Sequence, residues 1–167
     1  MTKRRTFKTL LITVVLLGAA LVWTLFTPAN ANPGGRSRSI MGAGTTMVEG
    51  GTGPPSFTPL LTKVAFHWRG GEGRFECLAL APSASAGSPG SGNFNTNVMY
   101  VTGEITSGRT SGHTALLRGT ATVTGVGAGS NEPFTVTLRR GGPGATLVLE
   151  VSGLTFKEIL LEGRFQF

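Results

Sequence analysis

Few side chains in this sequence could do chemistry, and their spacing narrows the choice further. His67 and His113 are far apart, and neither sits in a His-x-x-x-His pattern. A zinc site built on them would need a third ligand from Cys77 or a glutamate. Cys77 shares an alternating face with Phe75, so it reads as a small core residue; a nucleophilic thiol needs exposure and an activating base. Glu158 and Glu162 share one strand face, two pleats apart. A carboxylate pair can cleave glycosides when separation and desolvation suit, but Arg164 and Gln166 continue that face, which reads as solvated. The chain contains no aspartate, which removes Ser-His-Asp triads, Asp-rich calcium loops and Walker-type magnesium ligands. A Gly-x-Ser-x-Gly elbow and a P-loop are absent as well. The polar cluster "SGRTSGH" around Arg109 and His113 reads as a hairpin turn. No catalytic, cofactor-binding or metal-binding residue is assigned, and the expectation is a protein that is not an enzyme and carries no cofactor.

The elements that would position these groups are short β-type runs separated by Gly-rich breaks. They fall at 45–49, 63–69, 74–81, 94–106, 114–124, 133–140, 146–152 and 158–167. In "KVAFHWR" Val64, Phe66 and Trp68 share one face and Lys63, His67 and Arg69 the other. "PFTVTLRR" places Phe134, Val136 and Leu138 inward, and "TLVLEVSG" groups Leu147, Leu149 and Val151. "RFECLALA" is less one-sided. In the last run Ile159, Leu161, Phe165 and Phe167 alternate with Glu158, Glu162, Arg164 and Gln166. This two-residue period belongs to a sheet with one face on a core. Eight such runs predict an all-β fold, a small antiparallel up-and-down barrel or a sandwich. In a barrel the last strand pairs with the first, and Gly163 lets it bend. "PSASAGSPGSG" (82–92) is expected to be a mobile loop, and 125–133 a tighter turn region.

The start of the chain points to export. Lys3, Arg4, Arg5 and Lys8 precede an uncharged apolar run over 9–26, then Pro28, then Ala29-Asn30-Ala31. That is the layout of a signal peptide cleaved after Ala31, with Ala29 and Ala31 at the positions read by the peptidase. The run is also long enough to approach a membrane span if it is not cleaved. The expected organisation is a signal peptide over 1–31, with its helix, a flexible leader over 32–43 and a single β domain over 44–167. The formal charge is +7 from 15 Lys and Arg against 8 acidic residues. Loss of the four basic residues of the signal leaves eleven against eight, or +3. The remaining cations are scattered, whereas nucleic-acid binding calls for a clustered footprint. One cysteine excludes an internal disulfide.

Three stretches, "ALLRGTATVTG" (115–125), "PFTVTLRRGGPGATLVLEV" (133–151) and "EILLEGRFQF" (158–167), together resemble a group of secreted bacterial β domains of unknown function, of the post-COAP type. The shared pattern is a Gly-containing strand, a Phe-x-Val-x-Val-like strand running into a Gly-Pro-Gly turn, and a final Gly-containing strand. The resemblance covers the last third of the chain well and 64–100 loosely. It implies a small extracellular barrel and no enzymatic mechanism. Arg139 and Arg140 stand near the turn where the family often carries aspartates.

Three functions compete on these grounds. The first is an exported binding or structural module of the cell envelope or extracellular space. Its partner would be a cell-surface component or a small apolar ligand held among Phe66, Trp68 and Phe134, whose plainer role is to fill the core. The second is an integral outer-membrane barrel, with the apolar rows meeting lipid. The third is a barrel-scaffold enzyme of isomerase or cyclase type, which a structured internal cavity lined by Glu, Arg or His would favour.

Overall fold

In a computed structural model of the protein, residues 39–52 and 58–167 are described. They form eight strands: β1 (Ile40–Val48), β2 (Leu61–Arg69), β3 (Glu72–Pro82), β4 (Phe94–Ser111), β5 (Thr114–Gly125), β6 (Gly129–Arg139), β7 (Thr146–Val151) and β8 (Leu154–Gln166). Each pairs antiparallel with the next, and β8 pairs with β1 to close a barrel. The sandwich alternative is excluded, and among the described residues there is no helix. The signal-peptide helix and cleavage residues Ala29 and Ala31 lie outside the described residues.

The alternation read from the sequence sets the pleat of most strands. Val64, Phe66, Phe134, Val136, Leu138, Leu147, Leu149 and Val151 are all buried. Along β3 the inward row is Phe75, Cys77 and Ala79, and Leu78 and Leu80 on the other face are half-buried. The outward rows carry Lys63, His67 and Arg69 on β2, Arg74 and Glu76 on β3, and Thr120 and Thr122 on β5. The hairpin between β2 and β3 turns on Gly70 and Gly71, both at positive φ (67° and 102°). Two such residues match the right-handed twist of the flanking strands, and only glycine adopts them without strain.

Several boundaries differ from the expectation. β1 begins at Ile40, so residues 40–43 are strand, not leader, and Ile40 is fully buried. β4 runs on to Ser111, which makes Arg109 a strand residue and leaves only Gly112 and His113 as the turn. β6 starts at Gly129, and Pro133 pairs with Thr120 inside it. Residues 83–93 form successive turns bonded Ser88 to Ser85, Ser91 to Ser88 and Asn93 to Gly90.

The largest correction concerns β8. Thr45 of β1 faces Glu162 while Thr46 faces Leu160, so Leu161 is an extra residue in the ladder. Such a bulge moves the strand's phase by one position and exchanges its faces. Beyond the bulge Phe165 points inward as expected; before it, the inward residues are Phe156, Glu158 and Leu160. Ile159 and Leu161 are 39% and 44% exposed, and Glu158, expected on the solvated face, is buried. Glu162 stays outside, so the two carboxylates do not form a pair.

The barrel is filled by side chains in the half where β1 and β3 begin. Phe66 packs against Phe165 with ring centroids 5.4 Å apart, and Phe75 stacks on Phe134 at 5.3 Å. Small residues make room for these rings. A Cβ on Gly42 would lie 2.6 Å from Phe66 and 2.7 Å from Phe165, and one on Gly103 would lie 2.8 Å from Phe134. A barrel of eight strands has an interior just wide enough for such filling.

Candidate functional site

The filling ends short of the rim at which β1, β3, β5 and β7 terminate. There a partly enclosed cavity of about 60 Å³ is lined by Val48, Leu60, Ala79, Val98, Met99, Val126, Leu149 and Phe156. Thr62, Cys77 and Glu158 also border it, but its wall is almost wholly apolar. Each lining residue reaches it by the simple pleat of its strand: Thr62 precedes Val64 on the inward row of β2, and Cys77 and Ala79 follow Phe75 on β3.

Glu158 is 2% exposed. Its Oε2 accepts hydrogen bonds from the hydroxyls of Thr46 and Thr62, both of them buried. The two threonines face each other across β1 and β2, and their hydroxyls also bond to one another. Oε1 is buried and has no hydrogen-bond partner among the described residues. Burial pushes the Glu158 carboxyl above its ordinary range, against the lowering effect of the Thr46 and Thr62 hydrogen bonds. The Cys77 thiol is likewise held well above its usual value, by burial first and then by the adjacent Glu158, with Thr62 acting in the opposite sense. Cys77 is thus a buried thiol disfavoured as thiolate, and no cluster of three metal-ligating side chains exists among the described residues.

Of the residues singled out from the sequence, Phe66 and Phe134 are buried in the packed half, and Trp68 is partly buried over Gly108. None of the three lines the cavity. His67 lies on the outer face of β2 and His113 in the β4–β5 turn, so the structure does not bring them together. Thr46 and Thr62 escaped the sequence reading, because threonine is common on both faces of a strand. The available signal was Thr62, two positions ahead of Val64 on an otherwise apolar row. For Glu158 it was the unbroken apolar triple Ile159-Leu160-Leu161, which strict alternation does not allow.

Searches against protein-family models, curated proteins and solved structures each find no match for the chain.

Proposed function

We propose that the protein is an exported, non-catalytic binding module whose barrel takes a small, largely apolar ligand at the cavity rim. The observation that carries this reading is the cavity itself, an apolar enclosure at the end of a filled barrel with one buried, half-satisfied carboxyl. Sites of this kind pair apolar walls with a few convergent polar groups. The basic, apolar and small-residue succession over 1–31 supports export. The resemblance to post-COAP-type domains agrees with an extracellular barrel and is part of the same proposal. Charged and hydroxyl side chains on the outward rows favour a barrel bathed in water over one bathed in lipid, because a membrane barrel inverts that pattern.

Thermal melting in the presence of toluene or hexane tests the binding reading. Both solutes are expected to raise the midpoint of the wild-type protein, and Ala79→Leu, which fills the cavity, is expected to remove the effect. A midpoint indifferent to every apolar solute in the wild type would sink it. Folding that requires detergent would favour the membrane barrel instead.

A second reading, an enzyme that moves a proton on a bound substrate, draws support from the same Glu158, the polar group inside the barrel that such a catalyst needs. Its test is deuterium uptake from D2O into 2-pentanone at the carbons beside the carbonyl. Uptake by the native protein and not by Glu158→Gln would favour catalysis; uptake at the background rate would dismiss it.

A further inference from the structure

We propose that the outer face of the β1–β8 seam is a membrane-contact surface, which rests the exported barrel on a leaflet containing anionic phospholipid. The inference makes no use of the rim cavity. Among the described residues the exposed large apolar side chains are Met41, Met47, Val126, Leu154, Ile159 and Leu161, and all but Val126 stand on β1 or β8. Met47 lies directly opposite Ile159, and half-buried Leu61 of β2 continues their row. The bulge enlarges the patch: Leu161 and Glu162 are both exposed, where a regular ladder would send one of them inward. Apolar groups gathered on one exposed surface and rimmed by polar ones mark a site of contact.

Charge identifies what covers this face. The outward row of β1, Met41, Ala43, Thr45 and Met47, carries none. Lys63 donates a hydrogen bond to the Thr45 hydroxyl, 2.7 Å away, which sets an ammonium group over the middle of that row. Arg164 stands opposite Ala43, and Lys157 opposite Val148 of β7. β8, β1 and β2 together carry four cations, Arg69 included, against one exposed acid, Glu162. Glu150 lies beyond them on β7, and β3 to β6 carry four arginines and four glutamates. Arg36 and Arg38 come just ahead of β1 in the sequence and stay with a chain cut after Ala31. Apolar side chains set among cations suit an anionic leaflet, where the first enter the headgroup region and the second meet phosphate. A second copy fits less well. Met41, Met47, Ile159 and Leu161 expose on the order of 300 Å², against about 800 Å² on each partner of a stable interface. A two-fold contact would also set the same cations against each other.

The test is co-sedimentation of the exported chain from Asn32, which holds all eight strands, with vesicles of phosphatidylcholine alone or mixed with phosphatidylglycerol. Binding to the mixed vesicles is expected to be at least about tenfold tighter than to phosphatidylcholine, and to weaken as salt is raised. Met47→Ser with Leu161→Ser should lower it by about tenfold or more, and Lys157→Ala with Arg164→Ala by a similar factor. Arg118→Ala, which removes a cation from β5, should leave it unchanged. All five positions are exposed, so the core is untouched. Failure to bind either vesicle, equal binding to both, or a loss with Arg118→Ala as large as with the seam cations overturns the assignment. A dimer in buffer that Met47→Ser with Leu161→Ser dissolves overturns it in favour of a second copy. Should that double variant fail to fold, the vesicle comparison and the charge variants still decide the matter.

Discussion

Thr46 on β1 donates a hydrogen bond to Glu158 on β8, a partner 112 positions away in the chain, across the ladder that closes the barrel. Thr62 on β2 reaches the same oxygen, so three strands meet in one buried polar ring. The ring lies between the packed aromatic half and the rim cavity, where water is excluded on one side and access is limited on the other. Buried polar groups persist in such places only when they are partnered. Here three oxygens are, and the fourth, Oε1 of Glu158, has no partner among the described residues.

The raised Glu158 pKa makes stability depend on pH in a fixed sense. Above the ordinary carboxylate range the unfolded chain has lost this proton and the folded chain retains it, so folding takes up a proton. The contribution is therefore fully present below the unfolded value and is lost as pH rises through the folded value. The polar neighbours of Glu158 are Thr46, Thr62 and Cys77, and the raised thiol pKa of Cys77 extends the same trend into the alkaline range. The melting midpoint should fall between pH 4 and pH 8, and Glu158→Gln should flatten that fall. A midpoint that rises over this interval would contradict the raised Glu158 pKa.

Cys77 should resist thiol reagents in the folded protein. It is 4% exposed and its thiol is disfavoured as thiolate, whereas reaction requires the thiolate and access. Labelling with iodoacetamide at pH 8 is expected to be slow in buffer and fast in denaturant. Labelling at equal rates in both would mean that the rim opens far more readily than its packing implies.

Gly103 should be intolerant of side chains where an open glycine such as Gly92 is not. A Cβ there would sit 2.8 Å from both Phe134 and the carbonyl oxygen of Thr120, while Gly92 has open space around it. Gly103→Val is expected to cost about 1–3 kcal/mol, the range for overpacking a filled core, as measured by urea unfolding. Gly92→Val should stay within about 0.5 kcal/mol of the wild type, as surface changes do.

The architecture was legible in the sequence because most strands keep an unbroken two-residue period. "KVAFHWR" and "PFTVTLRR" each announce which face is buried, and the ring pairs follow from those faces. The candidate site was illegible for the opposite reason. One extra residue, Leu161, reverses the first half of β8, and a pattern read backwards from Phe165 places Glu158 outside and Ile159 inside. A bulge is a property of the pairing between β1 and β8, and no local propensity in β8 alone specifies it. The boundary of β1 was missed on similar grounds. Gly42 and Gly44 read as leader composition, but their missing side chains are what Phe66, Phe165 and Leu160 occupy.

The placement of the polar ring on the closing ladder also bears on how the molecule folds. Seven of the eight strand pairings join neighbours in the chain and can form as hairpins zip. The eighth, β1 with β8, must bring together the two most distant strands, and closing so long a loop carries the largest entropic cost and slows folding. Until that event, Glu158 has no Thr46 to hold it and stands in water as an ordinary carboxylate. Any proton that Glu158 takes up on folding therefore belongs with the closure of the barrel, which predicts that the rate of closure, as well as the final stability, varies with acidity.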